Sequence, residues 1–141
     1  MRAKLIYEDI KDILKPKSEE EILASLPGRS DLIFKPTDKS ADWTAYMGSF
    51  SASYKNLVKL FGKPNAITDE YKVSTEWVLE DNEGNIVTIY DWKMTDLYDE
   101  GLYSVEEFRK LDSYDWHIGG HKESDADNLI SFIYLNFIRK K

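Results

Sequence analysis

The sequence predicts an α+β fold: a mainly antiparallel sheet of about four strands with helices packed on one face, in the order β-α-β-β-α-β-α. Three stretches carry that prediction. Tyr71 to Lys93, YKVSTEWVLEDNEGNIVTIYDWK, reads as two strands around a tight turn. Ser53 to Pro64, SYKNLVKLFGKP, reads as a capped and terminated helix. The C-terminal stretch carries Ala126, Leu129, Ile130, Ile133 and Phe137 at helical spacing.

Residues 1–40 read as an accessory, helical N-terminal extension, and 41–141 as the core of a single domain spanning 1–141. Ile10, Ile13 and Leu14 suggest a short amphipathic helix that stops near Pro16. Ser18 with Glu21 forms a capping-box pattern for a second short helix through Leu26, closed by Pro27-Gly28. Gly28 to Ala41 is polar and rich in turn signals, so it reads as a loop. Asp42 to Phe50 is a predicted strand in which Gly48 marks a bulge or a close backbone approach. Ser51 or Ser53 caps the helix that follows, with Tyr54, Leu57, Val58 and Phe61 on one side. Gly62 suits the position after its last turn, and Pro64 prevents continuation.

In the hairpin, Val73 to Glu80 and Ile86 to Lys93 are rich in residues that fit a pleated, half-buried surface. A three-residue loop of Asn82, Glu83 and Gly84 puts glycine where positive φ is required. That loop pairs Asp81 with Asn85 and fixes the register. Leu79 then faces Val87, Trp77 faces Ile89 and Thr75 faces Asp91, all on one face. The opposite face carries Lys72, Ser74, Glu76 and Val78 on one strand and Thr88, Tyr90 and Trp92 on the other. The first face is the predicted core, with Trp77 in it; the second is left open. Beyond the hairpin, Ser104 with Glu107 opens a short helix through Leu111. Asp115 to Ile118 is a short strand ended by Gly119-Gly120. Ser124 or Asp125 caps the final helix, and Arg139, Lys140 and Lys141 suit the negative end of its dipole.

The chain has 141 residues, 42% of them hydrophobic, enough for a sizeable core. Its 19 basic residues against 26 acidic ones give a net charge of -7. A long nucleic-acid polymer is therefore not an expected partner, because such binding needs a basic footprint. There is no cysteine, which excludes disulfides and thiolate metal sites. The sequence shows neither a signal-peptide pattern nor an apolar run long enough for a membrane, so a cytoplasmic location is expected.

Glu76, Asp91 and His117 are the one group that suggests acid–base chemistry. No nucleophile motif, phosphate loop or metal-spaced cluster accompanies them, so no enzyme and no cofactor is expected. His117 and His121 stand on either side of a Gly-Gly break, which does not favour a shared metal. Tyr90, Trp92 and Trp116 suit stacking on a planar ligand, or equally an oligomer interface. Lys72 and Lys93 end their strands near the same rim and suit phosphate contacts as point charges. Gly119-Gly120 reads as a simple turn or as a backbone nest for an anion.

Four motifs stand in order: Ser53 to Pro64, Tyr71 to Trp77 (YKVSTEW), Thr88 to Lys93 (TIYDWK) and Trp116 to Gly120 (WHIGG). In that combination the chain resembles a family of small proteins of bacteriophages and other large DNA viruses. It is similar in turn to viral anti-CBASS sponges, which sequester cyclic nucleotide signals of bacterial anti-phage defence. The resemblance implies a non-enzymatic binder acting in the host cytosol. Bases would stack on Tyr90, Trp92 or Trp116. Lys72, Lys93 and the backbone of Gly119 and Gly120 would hold phosphates, and Ser74, Glu76 and His117 would read base edges or ribose. The open aromatic face also suggests a homo-oligomer. The alternatives are an interaction or virion-associated protein that uses this face for a protein partner and, third, an enzyme acting on a nucleotide.

Overall fold

The computed structural model describes residues 3–5, 21, 24–66, 73, 75–92 and 102–139. The strands among them are β1 (Ala3–Leu5), β2 (Phe34–Pro36), β3 (Ala45–Ala52), β4 (Glu76–Asp81), β5 (Ile86–Tyr90) and β6 (Tyr114–Gly120). The helices are α1 (Tyr54–Phe61), α2 (Val105–Arg109) and α3 (Glu123–Arg139). The strands form one sheet in the order β1-β3-β6-β5-β4-β2. Five strands pair antiparallel, and β1 joins β3 in parallel at one edge. The fold is α+β, as the sequence predicts.

The hairpin has the expected register. Leu79 pairs with Val87 and Trp77 with Ile89. The Asp81 N–H donates to the Asn85 carbonyl at 3.0 Å, and Gly84 sits at φ 89°. Asp81 closes the loop with its side chain: Oδ1 accepts from the backbone N–H of Glu83 and Asn85, and Oδ2 from Asn85 Nδ2. These bonds give the loop one geometry, so no other register satisfies the turn.

The core lies on the face that register defines. Trp77, Leu79, Val87, Ile89, Trp116 and Ile118 are each 0% exposed. α1 contributes Leu57 and Phe61, α2 Phe108, and α3 Ala126, Leu129, Ile130 and Ile133. Burying side chains of this size removes roughly 1.5–3 kcal/mol of apolar exposure each. Trp77 and Trp116 meet edge to face at 5.6 Å. Each indole N–H is satisfied by a loop or strand carbonyl, Trp77 Nε1 by Gly62 at 2.8 Å and Trp116 Nε1 by Ala52 at 2.9 Å. The Gly62 bond joins the end of α1 to the hairpin.

Helix boundaries follow their caps. Ser53 Oγ accepts from the Asn56 N–H, and the Gly62 N–H returns to the Val58 carbonyl. Ser104 and Glu107 form the predicted capping box at the start of α2. From that helix the Arg109 guanidinium lies 4.8 Å from the Tyr54 ring centre and donates to Thr75 Oγ1. α3 starts at Glu123, slightly ahead of the predicted caps, and Asp125 Oδ2 accepts from the N–H of His121 and Lys122.

Five expectations need correction. The sheet has six strands rather than about four, because the N-terminal segment supplies both edges. β2 lies inside the stretch read as a loop. Its alternation is short, with Leu32 and Phe34 buried and Ile33 and Lys35 exposed, and prolines and polar residues flank it. Pro36 is tolerated because β2 is an edge strand. β3 begins at Ala45, since Trp43 sits in a turn. β6 runs through Gly119 and Gly120 rather than ending before them, with both glycines paired to β3 and Gly119 also to β5. The second face of the sheet is not open along its length: Ser49, Thr88, Val78 and Ile86 are buried there. The predicted helix near Ile10 to Leu14 lies outside the described residues. Of its neighbour, Glu21, Ala24 and Ser25 are helical.

Candidate ligand-binding cleft

The second face opens at one end of β4, β5 and β6. There Thr44, Ala45, Val73, Glu76, Thr88, Tyr90, Trp92 and Gly119 line a cleft of about 260 Å³. Alternation along the strands places Glu76, Thr88 and Tyr90 on this face, opposite the core residues Trp77, Val87 and Ile89. Glu76 pairs with Tyr90, and Tyr90 with His117 on the next strand. The bulge expected at Gly48 lies between Tyr46 and Gly48. It turns Tyr46 onto the cleft face, against the simple alternation that Phe50 would set.

A group of rings results. Tyr90 stands edge-on to Trp92 at 6.2 Å and to His117 at 5.5 Å. Trp92 and His117 are within 22° of parallel at 6.5 Å, and Tyr46 reaches His117 at 4.8 Å. Trp92 remains 38% exposed, and its backbone N–H donates to the Tyr114 hydroxyl. Burial pushes that phenol up to about 12. Burial likewise raises the Tyr90 phenol, and the Glu76 and Tyr46 charges add to the effect. Burial holds the His117 imidazole below its ordinary pKa, against the pull of Asp115 and Asp91.

Gly119 makes the hollow. A Cβ there would meet Thr88 Oγ1 at 2.4 Å, with Thr44 Oγ1 and the Tyr90 ring each 3.6 Å away. Gly120 serves the other side, where a Cβ would meet the Cβ of Asp125 at 2.9 Å and spoil the seat of α3. The two glycines are therefore in the ladder, and the expectation of a turn or anion nest is corrected: the strand pairing extends through them, and what they supply is space.

Glu76 is the chemical focus. Its carboxyl is half-buried and takes no hydrogen bond or ion pair from the described residues. Burial first, and the Asp91 charge second, raise it from 4.5 to about 7. Asp91 itself is turned to the core side, where its Oδ1 accepts from the Thr75 N–H at 2.7 Å. Glu76, Asp91 and His117 are thus divided between two faces. Among the described residues, no three His, Cys, Asp or Glu side chains are grouped so as to hold a metal. His121 Nε2 lies 3.1 Å from the Asp42 carbonyl, away from His117's rings.

Of the residues the sequence suggests for a ligand, Glu76, Tyr90, Trp92 and Gly119 line the cleft, and His117 joins its rings. Trp116 does not belong there. Neighbours on one strand point to opposite faces, so His117 on the cleft side puts Trp116 in the core, fully buried. Gly120 packs against α3. Lys72, Ser74 and Lys93 lie outside the described residues. No lysine or arginine is among the described residues lining the cleft.

Thr44, Ala45, Val73 and Tyr46 were not legible as site residues, and Thr88 was legible only as a residue of the open face. Nor was Trp43, which stands in the turn beside Thr44, 93% exposed at φ 68°. That backbone region is a strained one for a bulky side chain. The turn is held by Thr44 N–H and Oγ1 on the Ala41 carbonyl and by the Asp42 N–H on Ser40 Oγ.

No helix among the described residues is long and apolar enough to cross a membrane. No protein-family model matches the chain, and no curated protein matches it.

Proposed function

We propose that this protein binds a small cyclic nucleotide at the Tyr90–Trp92–Glu76 cleft and sequesters it without cleaving it, as a viral sponge against bacterial anti-phage signalling. The observation that carries the proposal is a hollow walled by stacking rings that also contains a carboxyl with no hydrogen-bond partner among the described residues. Rings take the flat faces of bases, and the polar group takes an edge. The resemblance of the four sequence motifs to viral sponges points the same way. The division of Glu76 and Asp91 between two faces favours binding over acid–base turnover. Lys72 and Lys93 are the proposed phosphate contacts, and a homo-oligomer the proposed assembly.

The test is direct. Purified protein is incubated with a panel of cyclic di- and trinucleotides, washed and heated, and the released material is analysed. Intact nucleotide in stoichiometric amount is the expected result. A changed nucleotide makes the protein an enzyme. A second reading, an interaction surface for a protein partner, is favoured by the exposure of Trp92 at the cleft and of Trp43 in the turn next to the cleft-lining Thr44; it takes first place if nothing is retained.

A further inference from the structure

We infer that the base held in this cleft is guanine, read by the Glu76 carboxylate. The inference rests on the sequestration reading and names the ligand's chemistry. Glu76 is half-buried among Tyr90, Trp92, Thr88 and Val73, yet no described donor reaches its carboxyl. A desolvated acceptor costs stability unless a donor reaches it, and a ligand entering this ring-walled hollow can bring that donor.

An ionised carboxylate only accepts, through two oxygens side by side. Its complement is a pair of adjacent N–H donors. Guanine offers that pair, N1–H and the N2 amino group, along one edge. Adenine and cytosine each offer one amino donor beside a bare ring nitrogen, which would set lone pair against lone pair. Uracil offers one N–H between two carbonyls. The Watson–Crick edge is the one that proteins read in bases taken out of a duplex. The volume agrees, because about 260 Å³ lies below the roughly 300–1,000 Å³ of sites for whole drug-sized ligands.

The groups facing Glu76 decide how binding depends on pH. Among the described residues they are, from β5, the Tyr90 phenol, with the Asp91 charge just past the strand, and from β6, His117, whose imidazole burial holds below its ordinary pKa, and the side-chain-free Gly119. From β3, Tyr46 adds a phenol. Among the described groups burial is the first cause of the shift and the Asp91 charge the second, and together they hold the Glu76 carboxyl up near 7. Guanine donors favour the ionised form, so affinity for guanine should rise with pH up to that value and level off above it.

The full-length chain, wild type and Glu76→Gln, is titrated calorimetrically with cyclic di-GMP, cyclic GMP-AMP, cyclic di-AMP and cyclic GMP at about pH 5.5, 7 and 8.5. The guanine ligands should bind about ten-fold or more tighter than cyclic di-AMP, the discrimination one bidentate pair supplies. That margin should widen as pH rises. Glu76→Gln, whose amide presents one donor and one acceptor, should lose the margin and its pH dependence while keeping or gaining affinity for adenine. A melting curve establishes that the variant is folded. Equal binding of guanine and adenine ligands, or a folded Glu76→Gln with unchanged guanine preference, overturns the guanine assignment and leaves sequestration standing. Failure of all four probes to bind overturns both.

Discussion

The two faces of β4 and β5 are built from alternate residues of the same strands, and they are opposite in character. On the core face, Trp77, Leu79, Val87 and Ile89 are fully buried, and the polar groups of the hairpin itself find partners there, the Trp77 indole in the Gly62 carbonyl and Asp91 in the Thr75 N–H. On the cleft face, one residue out of step, Glu76 is half-buried and takes no donor among the described residues, and the Tyr90 and His117 side chains are shifted from their ordinary pKa values by burial. A satisfied face holds the fold together. An unsatisfied one, held in place by the first, is what a ligand can complete. The comparison also shows why a one-residue register slip would be fatal, since it would exchange the two sets of side chains.

The contrast breaks or holds on stability first. Trp77→Ala should cost roughly 3–5 kcal/mol, the range for large buried aromatics, and leave the Gly62 carbonyl without its donor. Tyr90→Ala, on the other face, should cost clearly less. Urea denaturation of both variants checks this, and equal losses would erase the distinction between the faces.

Gly119→Ala should come next, at roughly 1–3 kcal/mol, because the new methyl group collides with Thr88 Oγ1 across the strand pair. It should also fill the hollow. Pairing it with Thr88→Ala should recover part of the stability in a double-mutant cycle.

Trp92→Ala sharpens the comparison from the side of the ligand. It should remove roughly 1–3 kcal/mol of nucleotide affinity, the worth of one base–aromatic stack, with little change in melting temperature. A loss of stability without a loss of affinity would place Trp92 in the scaffold instead.

The pH dependence of folding tests Glu76 without any ligand. Its pKa is raised in the folded protein, so the folded state holds a proton that the unfolded chain has released between pH 4.5 and about 7. Stability on this account is fully present below 4.5 and declines as pH rises towards 7. Discounted for solvent screening at a half-exposed site, the decline is about 1–2 kcal/mol. Glu76→Gln should remove it, so that wild type and variant differ most above neutrality. Parallel pH profiles would show that the carboxyl is solvated.

The smallest effect is expected at the rim. Trp43→Gly should relieve the positive-φ strain and gain about 1 kcal/mol or less, since the ring is 93% exposed and little packing is lost. If that variant instead melts lower, Trp43 has contacts that tie the turn to the sheet.

The sequence alone determined the local features whose signals lie within a few residues of one another. The Asn82-Glu83-Gly84 loop carries its own turn chemistry, so the hairpin register and the core identity of Trp77 and Leu79 followed from it. Ser53, Gly62 and the Ser104–Glu107 box likewise fix helix ends by short-range hydrogen bonds. Tertiary structure decided what depends on a partner strand or on the surrounding dielectric. β2 is a strand only because β4 offers it an edge. Gly119 continues β6 only because Thr88 and Tyr46 face it, which is why a glycine that reads as part of a stop becomes the floor of a cleft. Tyr46 reaches that cleft through a bulge that alternation cannot count. Trp116 was misplaced although alternation with His117 already assigned it to the core. The raised pKa of Glu76 belongs to the fold alone, for it comes from lost solvent and the approach of Asp91, neither of which exists in the extended chain.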